Sequence, residues 1–376
     1  MALNQVGLER LGTQVSKKIG ASKNLVINGA MQVAQRATSS TSSGFKTLDR
    51  WSNSYSADAN ITFTQHALTS SDTGPYEDGF RFSNHAQNGS TGAGATQSLN
   101  FQQPIEAQNV AQSGWVHTSS SSFITLSFWA KSSVGQTFNM SVMTIDGTVK
   151  NFPFDVTLAA NTWTKVTKTI PGDSSLQIDA DNGEGFRINI NVFTGTDRTA
   201  NSVTNDTWQN WTSSTRFRDN TSTWFTTNGA TFEYTGVQLE VGSVATEFEH
   251  KSYGDTLWDC QRYCAQIGRA DSGEDTYTLQ GLQAYGTSAI FGTIGHWPRQ
   301  MRAKPTVTLV GVIKYSNSVG GNVFSPSSGS YNKVTKDAVG SSALGFSSNY
   351  FVQGGYATSL TGAADGANYI QGEAEL

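Results

Sequence analysis

A period of two constrains this chain more than any other feature. Phe186, Ile188, Ile190 and Val192 alternate with Arg187, Asn189 and Asn191. Successive side chains of an extended strand point to opposite faces, so this alternation predicts a strand buried on one side. Ile124, Leu126, Phe128 and Ala130 repeat the pattern against Thr125, Ser127 and Lys131, and Val237, Leu239 and Val241 against Gln238 and Glu240. Between such runs lie Asp146-Gly147, Pro171-Gly172, Asn182-Gly183 and Asn228-Gly229, residue pairs suited to chain reversal. Many short strands with apolar inner faces specify two packed sheets. The span 24–250 is the length of a jelly roll with generous loops.

Composition agrees with this reading and excludes several classes. Only 14% of residues are charged, yet 20 Phe, 12 Tyr and 9 Trp are present, too many aromatic side chains for a disordered chain. The formal net charge of −4 and the lack of a basic face give no footprint for nucleic acid. No apolar run has the length of a membrane span, and residues 1–23 lack the apolar core of a signal peptide. Neither nucleic-acid binding nor membrane insertion is expected.

The fold class is therefore mainly β, with short helices as punctuation. In 1–23, Leu8, Leu11, Val15 and Ile19 recur at helical spacing. That helix is too short to stand alone, so it serves docking or trimerisation. The sandwich at 24–250 is followed by an expected linker helix at 251–267, with Cys260 and Cys264 on one face as buried, inert thiols. Residues 268–376 return to strands, expected at 288–294, 306–313, 344–352 and 368–376, and form a second β-sandwich domain, the receptor-facing tip. A long Gly- and Ser-rich stretch at 315–348 marks functional loops there.

Catalytic signatures are missing. The chain has no His-Glu-x-x-His, no Gly-x-Ser-x-Gly and no Walker phosphate loop. The five histidines, His66, His85, His117, His250 and His296, are scattered. No catalytic residue is assigned. Asp179 to Glu184 (Asp-Ala-Asp-Asn-Gly-Glu) fails as a helix–loop–helix calcium motif, because its glycine is one position early and Ile190 stands where the last carboxylate belongs. The first reading is a tight turn, the second a turn holding a structural calcium ion; no other cofactor is expected. Trp208 and Trp211 form one candidate sugar platform, with core packing as the competing role for tryptophans in a sandwich. Trp297, Tyr331 and Tyr350 form a second, beside the carboxy-terminal loops.

Several phrases together resemble a known module. They are Ile27-Asn28-Gly29, Met31 to Arg36, Asp49-Arg50-Trp51, Phe128 to Lys131, Asp181-Asn182-Gly183, Gly236 to Gly242, Ala245-Thr246, Phe248-Glu249 and Cys260 to Tyr263. The set resembles a β-sandwich found in bacteriophage tail fibres and other virion appendages, including those of marine and cyanobacterial phages. Cys264 stands where that family has a second aromatic residue. Arg299 to Pro305 resembles the phrase that precedes a terminal receptor-facing sheet. The resemblance implies a jelly roll like those of carbohydrate-binding modules, built into a homotrimeric, non-enzymatic tail fibre that attaches to host-surface polysaccharide or lipopolysaccharide. It also implies other virion proteins as partners through the amino terminus. The expected location is the virion exterior, on tail or capsid, after synthesis in the host cytoplasm. A capsid-decorating fibre or tail connector of the same fold is the first rival, and a capsular depolymerase the second.

Overall fold

The computed structural model describes residues 23–56, 60–89, 92 and 94–267, and within the remainder 277–278, 282–285, 289–310, 312–316, 323–324, 334–339, 343–348, 357–361 and 369–376. The segment carrying Leu8, Leu11, Val15 and Ile19 lies outside these residues, as do Tyr331 and Tyr350. The chain divides into two compact units, the first reaching Tyr253 and the second running from Gly254 to Glu375.

The first unit begins with β1 (Ser39–Ser40), β2 (Ser52–Ser56), β3 (Ile61–Ala67), β4 (Phe82–Asn88) and β5 (Ser98–Glu106), then a short helix α1 (Ala107–Ala111). It continues with β6 (Phe123–Ser132), β7 (Gln136–Thr144), β8 (Lys150–Leu158), β9 (Thr164–Pro171), β10 (Glu184–Thr194), β11 (Gln209–Asn210) and β12 (Thr231–Val241). Sheet I has the order β1-β3-β4-β12-β6-β9 and sheet II the order β11-β8-β7-β10-β5-β2. Their strand pairs are antiparallel. One apolar core lies between the sheets. In it Phe101 of β5 meets Tyr234 of β12 at 4.9 Å between ring centroids, and Phe138 of β7 meets Phe232 at 5.0 Å. This is the expected sandwich, and the turn pairs lie where strands end.

The alternation is correct about the inner face and incomplete about the outer one. Phe186, Ile188 and Ile190 are fully buried, but Asn189 and Asn191 are only 4% and 3% exposed. Segment 195–230 lies over that face. Gln238 and Glu240 are likewise buried, because 246–249 folds back on them: Thr246 N–H donates to Glu240 Oε1 at 2.8 Å and Glu249 N–H to Gln238 Oε1 at 2.8 Å. Period two reports which side chains part company, not what later covers them.

The two ends of the unit are fastened together. Past Tyr234, β12 loses β4 as its neighbour and takes 24–29 instead: Leu25 N–H donates to Leu239 O at 2.9 Å and Val237 N–H to Gly29 O at 3.0 Å. The changeover coincides with a register break against β6 and with Gly236 at φ +65, a left-handed conformation suited to glycine. Asn24 adds Nδ2–H to Val237 O and accepts Leu239 N–H, while its own N–H donates to Glu249. Asn28, also left-handed at φ 59, ties the next turn by donating to Val33 O and Asp49 O. Trp51 Nε1–H donates to Asn28 O, and Asp49 accepts from Gln35 and Arg36.

A strap of residues 69–79 crosses the outer face of sheet I. Asp72 accepts from Lys131 and from the Trp163 indole, each at 3.0 Å, and Asp78 accepts from Lys165 and the Trp129 indole, each at 3.0 Å. Burial pushes the Asp72 carboxyl up, but hydrogen bonds from Thr69 N–H, Trp163 and Lys131, with the lysine charge, outweigh it and bring the pKa down to about 2. Beneath the strap, Lys131 Nζ also reaches Glu233 Oε1 at 3.1 Å, and Glu233 Oε2 takes Ser83 Oγ–H at 2.9 Å and faces His66 Nδ1 at 3.0 Å. The Asp72 shift predicts an acid limb. Its stabilisation is complete above the unfolded value of 3.8 and is lost as pH falls toward about 2. Asp72→Asn should remove roughly 1 kcal/mol at pH 7 after allowance for solvent screening and nothing near pH 2. Urea midpoints at both pH values check this.

In the second unit the expected linker helix is shorter than 251–267. Helix α2 ends at Cys260 (Tyr253–Cys260), a turn follows, and Cys264–Ile267 is strand β13, paired with Tyr369–Glu373. The two cysteines therefore stand on different elements, not on one helical face. Both are free and buried, as the inert-thiol reading requires. The remaining strands fall near the expected places, at Ala289–His296, Thr306–Val310, Val312–Ser316 and Ala343–Ser348. Arg302 donates from Nε to Ala374 O and from Nη2 to Glu375 O, and Ala374 N–H reaches Tyr263 O. The phrases at 260–263 and 299–305 thus hold the last strand in place.

Candidate functional site

The outer face of sheet II is built from amides. Gln102 on β5, Asn189 on β10 and Ser141 on β7 form a hydrogen-bonded row: Gln102 Nε2–H donates to Asn189 Oδ1 at 3.1 Å, and Asn189 Nδ2–H to Ser141 Oγ at 3.4 Å. Asn191, one step along β10, lies opposite Asn100. Asn139 on β7 donates to Asp155 Oδ1 on β8 at 2.9 Å. The polar half of each two-residue repeat thus gathers on one surface, because antiparallel register aligns like faces across a sheet.

Segment 195–230 roofs this surface with little apolar material. Its buried apolar residues between 196 and 223 are Val203 and Phe217. Polar ties do the rest: Asn151 Nδ2–H donates to Arg216 O at 2.8 Å, Asn220 Nδ2–H to Thr137 O at 3.2 Å and Gln136 Nε2–H to Ser222 Oγ at 2.9 Å. Under the roof's edge is a narrow recess without room for a water molecule, lined by Asn139, Asn191, Thr194, Asn220 and Ser222 among others.

Polar atoms without a protein partner concentrate here. Among the described residues these include Asn100 Oδ1, Asn151 Oδ1, Asn191 Nδ2, Thr194 Oγ1, Asn205 Oδ1 and Arg216 Nε, all on this face or its roof. Natural interiors contain few such groups, and each costs about 1–3 kcal/mol when left unmet. Asn191 Nδ2 and Thr194 Oγ1 belong to residues that line the recess, and both atoms are buried.

The tryptophan pair expected as a platform separates. Trp208 packs against Phe152 at 5.3 Å between centroids, and its indole N–H donates to Pro171 O at 2.8 Å, which is core work. Trp211 is 36% exposed, held by its N–H to Val149 O at 3.0 Å and by the Arg216 guanidinium 5.4 Å from its ring centroid. Trp224 and Phe225 are fully buried. Trp297 is 4% exposed, with Gly372 against its ring, so it offers no open face within this chain. Sequence reasoning missed Asn139, Asn191, Thr194 and the roof. The available signal was the asparagine enrichment of the polar positions on β5, β7 and β10.

The 179–184 turn serves its own backbone. Asp181 Oδ1 accepts Gly183 N–H at 2.8 Å, and Asp146 Oδ2 accepts Asp179 N–H at 2.8 Å. Burial and then the charges of Asp179, Asp181 and Glu184 push the Asp146 carboxyl up, against the Asp179 hydrogen bond. Among the described residues no group of three or more histidine, cysteine or acidic side chains is arranged to hold a metal ion.

No family model matches the chain, and no curated protein matches it. Among solved structures it is similar to the enzymatically active domain of bacteriophage CBA120 tailspike protein 4, at 13% identity and a TM-score of 0.30, over 58% of this chain and 22% of that one. It is also similar to the family 11 carbohydrate-binding module of a Clostridium thermocellum cellulosomal cellulase, at 10% identity and a TM-score of 0.27, over 57% of this chain and 98% of the module. The amino-terminal cellulose-binding domain of Cellulomonas fimi β-1,4-glucanase C gives 10% identity and a TM-score of 0.29, over 57% and 99%. Scores this low carry no argument about ligand or partner, and the site rests on its own geometry.

Proposed function

We propose that this chain is a non-enzymatic, saccharide-binding attachment protein of a phage virion, displayed as a homotrimeric tail fibre on the particle exterior. The observation that carries the saccharide reading is the roof over sheet II, which at 201–223 exposes mainly serine, threonine and asparagine side chains. A sugar hydroxyl donates and accepts at once, so a surface of amides and hydroxyls matches a polyol better than an apolar or strongly charged ligand. Trp211 adds an exposed ring for the apolar side of a pyranose. The virion assignment is supported by the motif resemblance in 24–265. Self-association would give weak single sites their avidity.

A glycan array probed with the full chain tests the reading. Host-surface glycans should bind, and Trp211→Ala should weaken binding about tenfold, the value of one aromatic contact. The substitution should leave the melting temperature within a few degrees of wild type. Absence of binding to any glycan, or full affinity in Trp211→Ala, would sink the proposal. Light scattering should give three times the chain mass, and immunogold labelling should decorate the tail; label on the capsid would favour a head fibre of the same fold.

A further inference from the structure

The roof over sheet II carries a cation that the chain leaves unanswered. Arg216 is half-buried, its guanidinium lies against the Trp211 ring, and its Nε–H is buried without an acceptor. The nearest charge of consequence is a second cation, Arg198, whose carbonyl accepts Arg216 N–H at 2.8 Å and whose Nε–H is spent on Thr96 O. Of the segment's three carboxylates, Asp206 pairs with Lys168, Asp219 takes the Thr199 hydroxyl, and Asp197 forms no ion pair with either arginine. Among the described residues neither arginine forms an ion pair. Burial, followed by the Arg198 charge, depresses the Arg216 guanidinium. Two like charges brought together without an ion pair are unfavourable in a polar roof, and an external anion would relieve that.

We propose that Arg216, beside Trp211, is the anion-recognising corner of the saccharide face, so that the ligand class is an acidic saccharide carrying a uronic-type carboxylate. This rests on the saccharide reading above and adds charge to it. Arginine suits the task because its planar fork presents N–H groups to both oxygens of a carboxylate, and stacking on Trp211 fixes the plane of that fork. Arg216 O is held by Asn151 on the amide face. Asn151 and Asp155 are four residues apart on β8, and Asp155 carries Asn139 of the recess. With Asp155 bound by Asn139, the recess presents no cation of its own, which puts charge recognition at Arg216.

The test uses the full chain and pectate, alginate and hyaluronan oligosaccharides, each beside its carboxyl-reduced counterpart, titrated calorimetrically at low and at 0.5 M salt. At least one acidic member should bind about tenfold more tightly than its neutral partner, with the margin shrinking at high salt. Arg216→Gln should level the two affinities without lowering that of the neutral form, and Arg216→Lys should keep part of the preference. Melting temperatures establish that the variants are folded, and a poorly folded Arg216→Gln leaves Arg216→Lys and the salt series to decide. Equal affinities within every pair, or an acid preference that survives Arg216→Gln, overturn the inference while leaving neutral saccharide binding intact. Binding to no member of any pair overturns the inference and counts against the saccharide reading as well.

Discussion

Gly29→Ala is expected to cost the sandwich about 3–4 kcal/mol, a fall in melting temperature on the order of 10 °C. A β-carbon at Gly29 would stand 2.1 Å from the carbonyl oxygen of Val237. Neither partner has room to yield. Val237 N–H donates to Gly29 O at 3.0 Å, and Asn24 Nδ2–H holds the obstructing carbonyl at 3.1 Å. Relief therefore means parting 24–29 from β12, which undoes the fastening of the unit's two ends. Gly92→Ala, with nothing within 4 Å of the added carbon, should change stability by less than about 0.5 kcal/mol. Thermal melts of the pair decide: a Gly29→Ala protein that melts within 2 °C of wild type contradicts the packing described.

Lys131→Met should be nearly as damaging at neutral pH, by about 3 kcal/mol, and should recover as the solution is acidified. Glu233 is 4% exposed. Burial pushes its carboxyl up, but the Lys131 charge and the His66, His85 and Lys131 contacts hold it below its ordinary value of 4.5. In wild type that stabilisation is present above 4.5 and fades as pH falls. Without the lysine, burial dominates and the folded-state pKa rises above the unfolded one. The variant then gains stability, relative to its own value at pH 7, as protons neutralise Glu233. Removing one partner of a buried pair costs more than the pair was worth, because the other charge stays behind. Lys131→Met with Glu233→Gln should therefore regain most of the loss. Denaturant midpoints at pH 7 and pH 5 measure both effects, and a deficit that is constant with pH would exclude this account.

How much was legible in the sequence follows from these particulars. The inner faces of β6, β10 and β12 could be read directly, because alternation encodes them within a few residues. The phrases behind the appendage resemblance proved to be structural ties: Asn28, Gly29, Asp49 and Trp51 converge on one knot, and Arg302 holds the chain's last strand against Tyr263. Helix α2 was drawn too long because Leu257, Cys260, Gln261 and Cys264 share helical spacing, while the strand partner of Cys264 lies more than a hundred residues away. The recess was not legible. Asn139, Asn191 and Thr194 are placed together by register across β7 and β10, and Asn220 and Ser222 arrive from a segment whose path no local pattern encodes. Trp208 and Trp211 differ by three positions and have opposite fates, set by a carbonyl at Pro171 that only the fold brings near.

The fastening of 24–29 to β12 has a mechanical consequence. Residues 23–25 and 239–249 meet at one corner, so tension applied to the unit's two ends would act on that short seam at the end of β12. The seam acts as a shackle: force applied across 23–25 and 239–249 would load this small set of hydrogen bonds first.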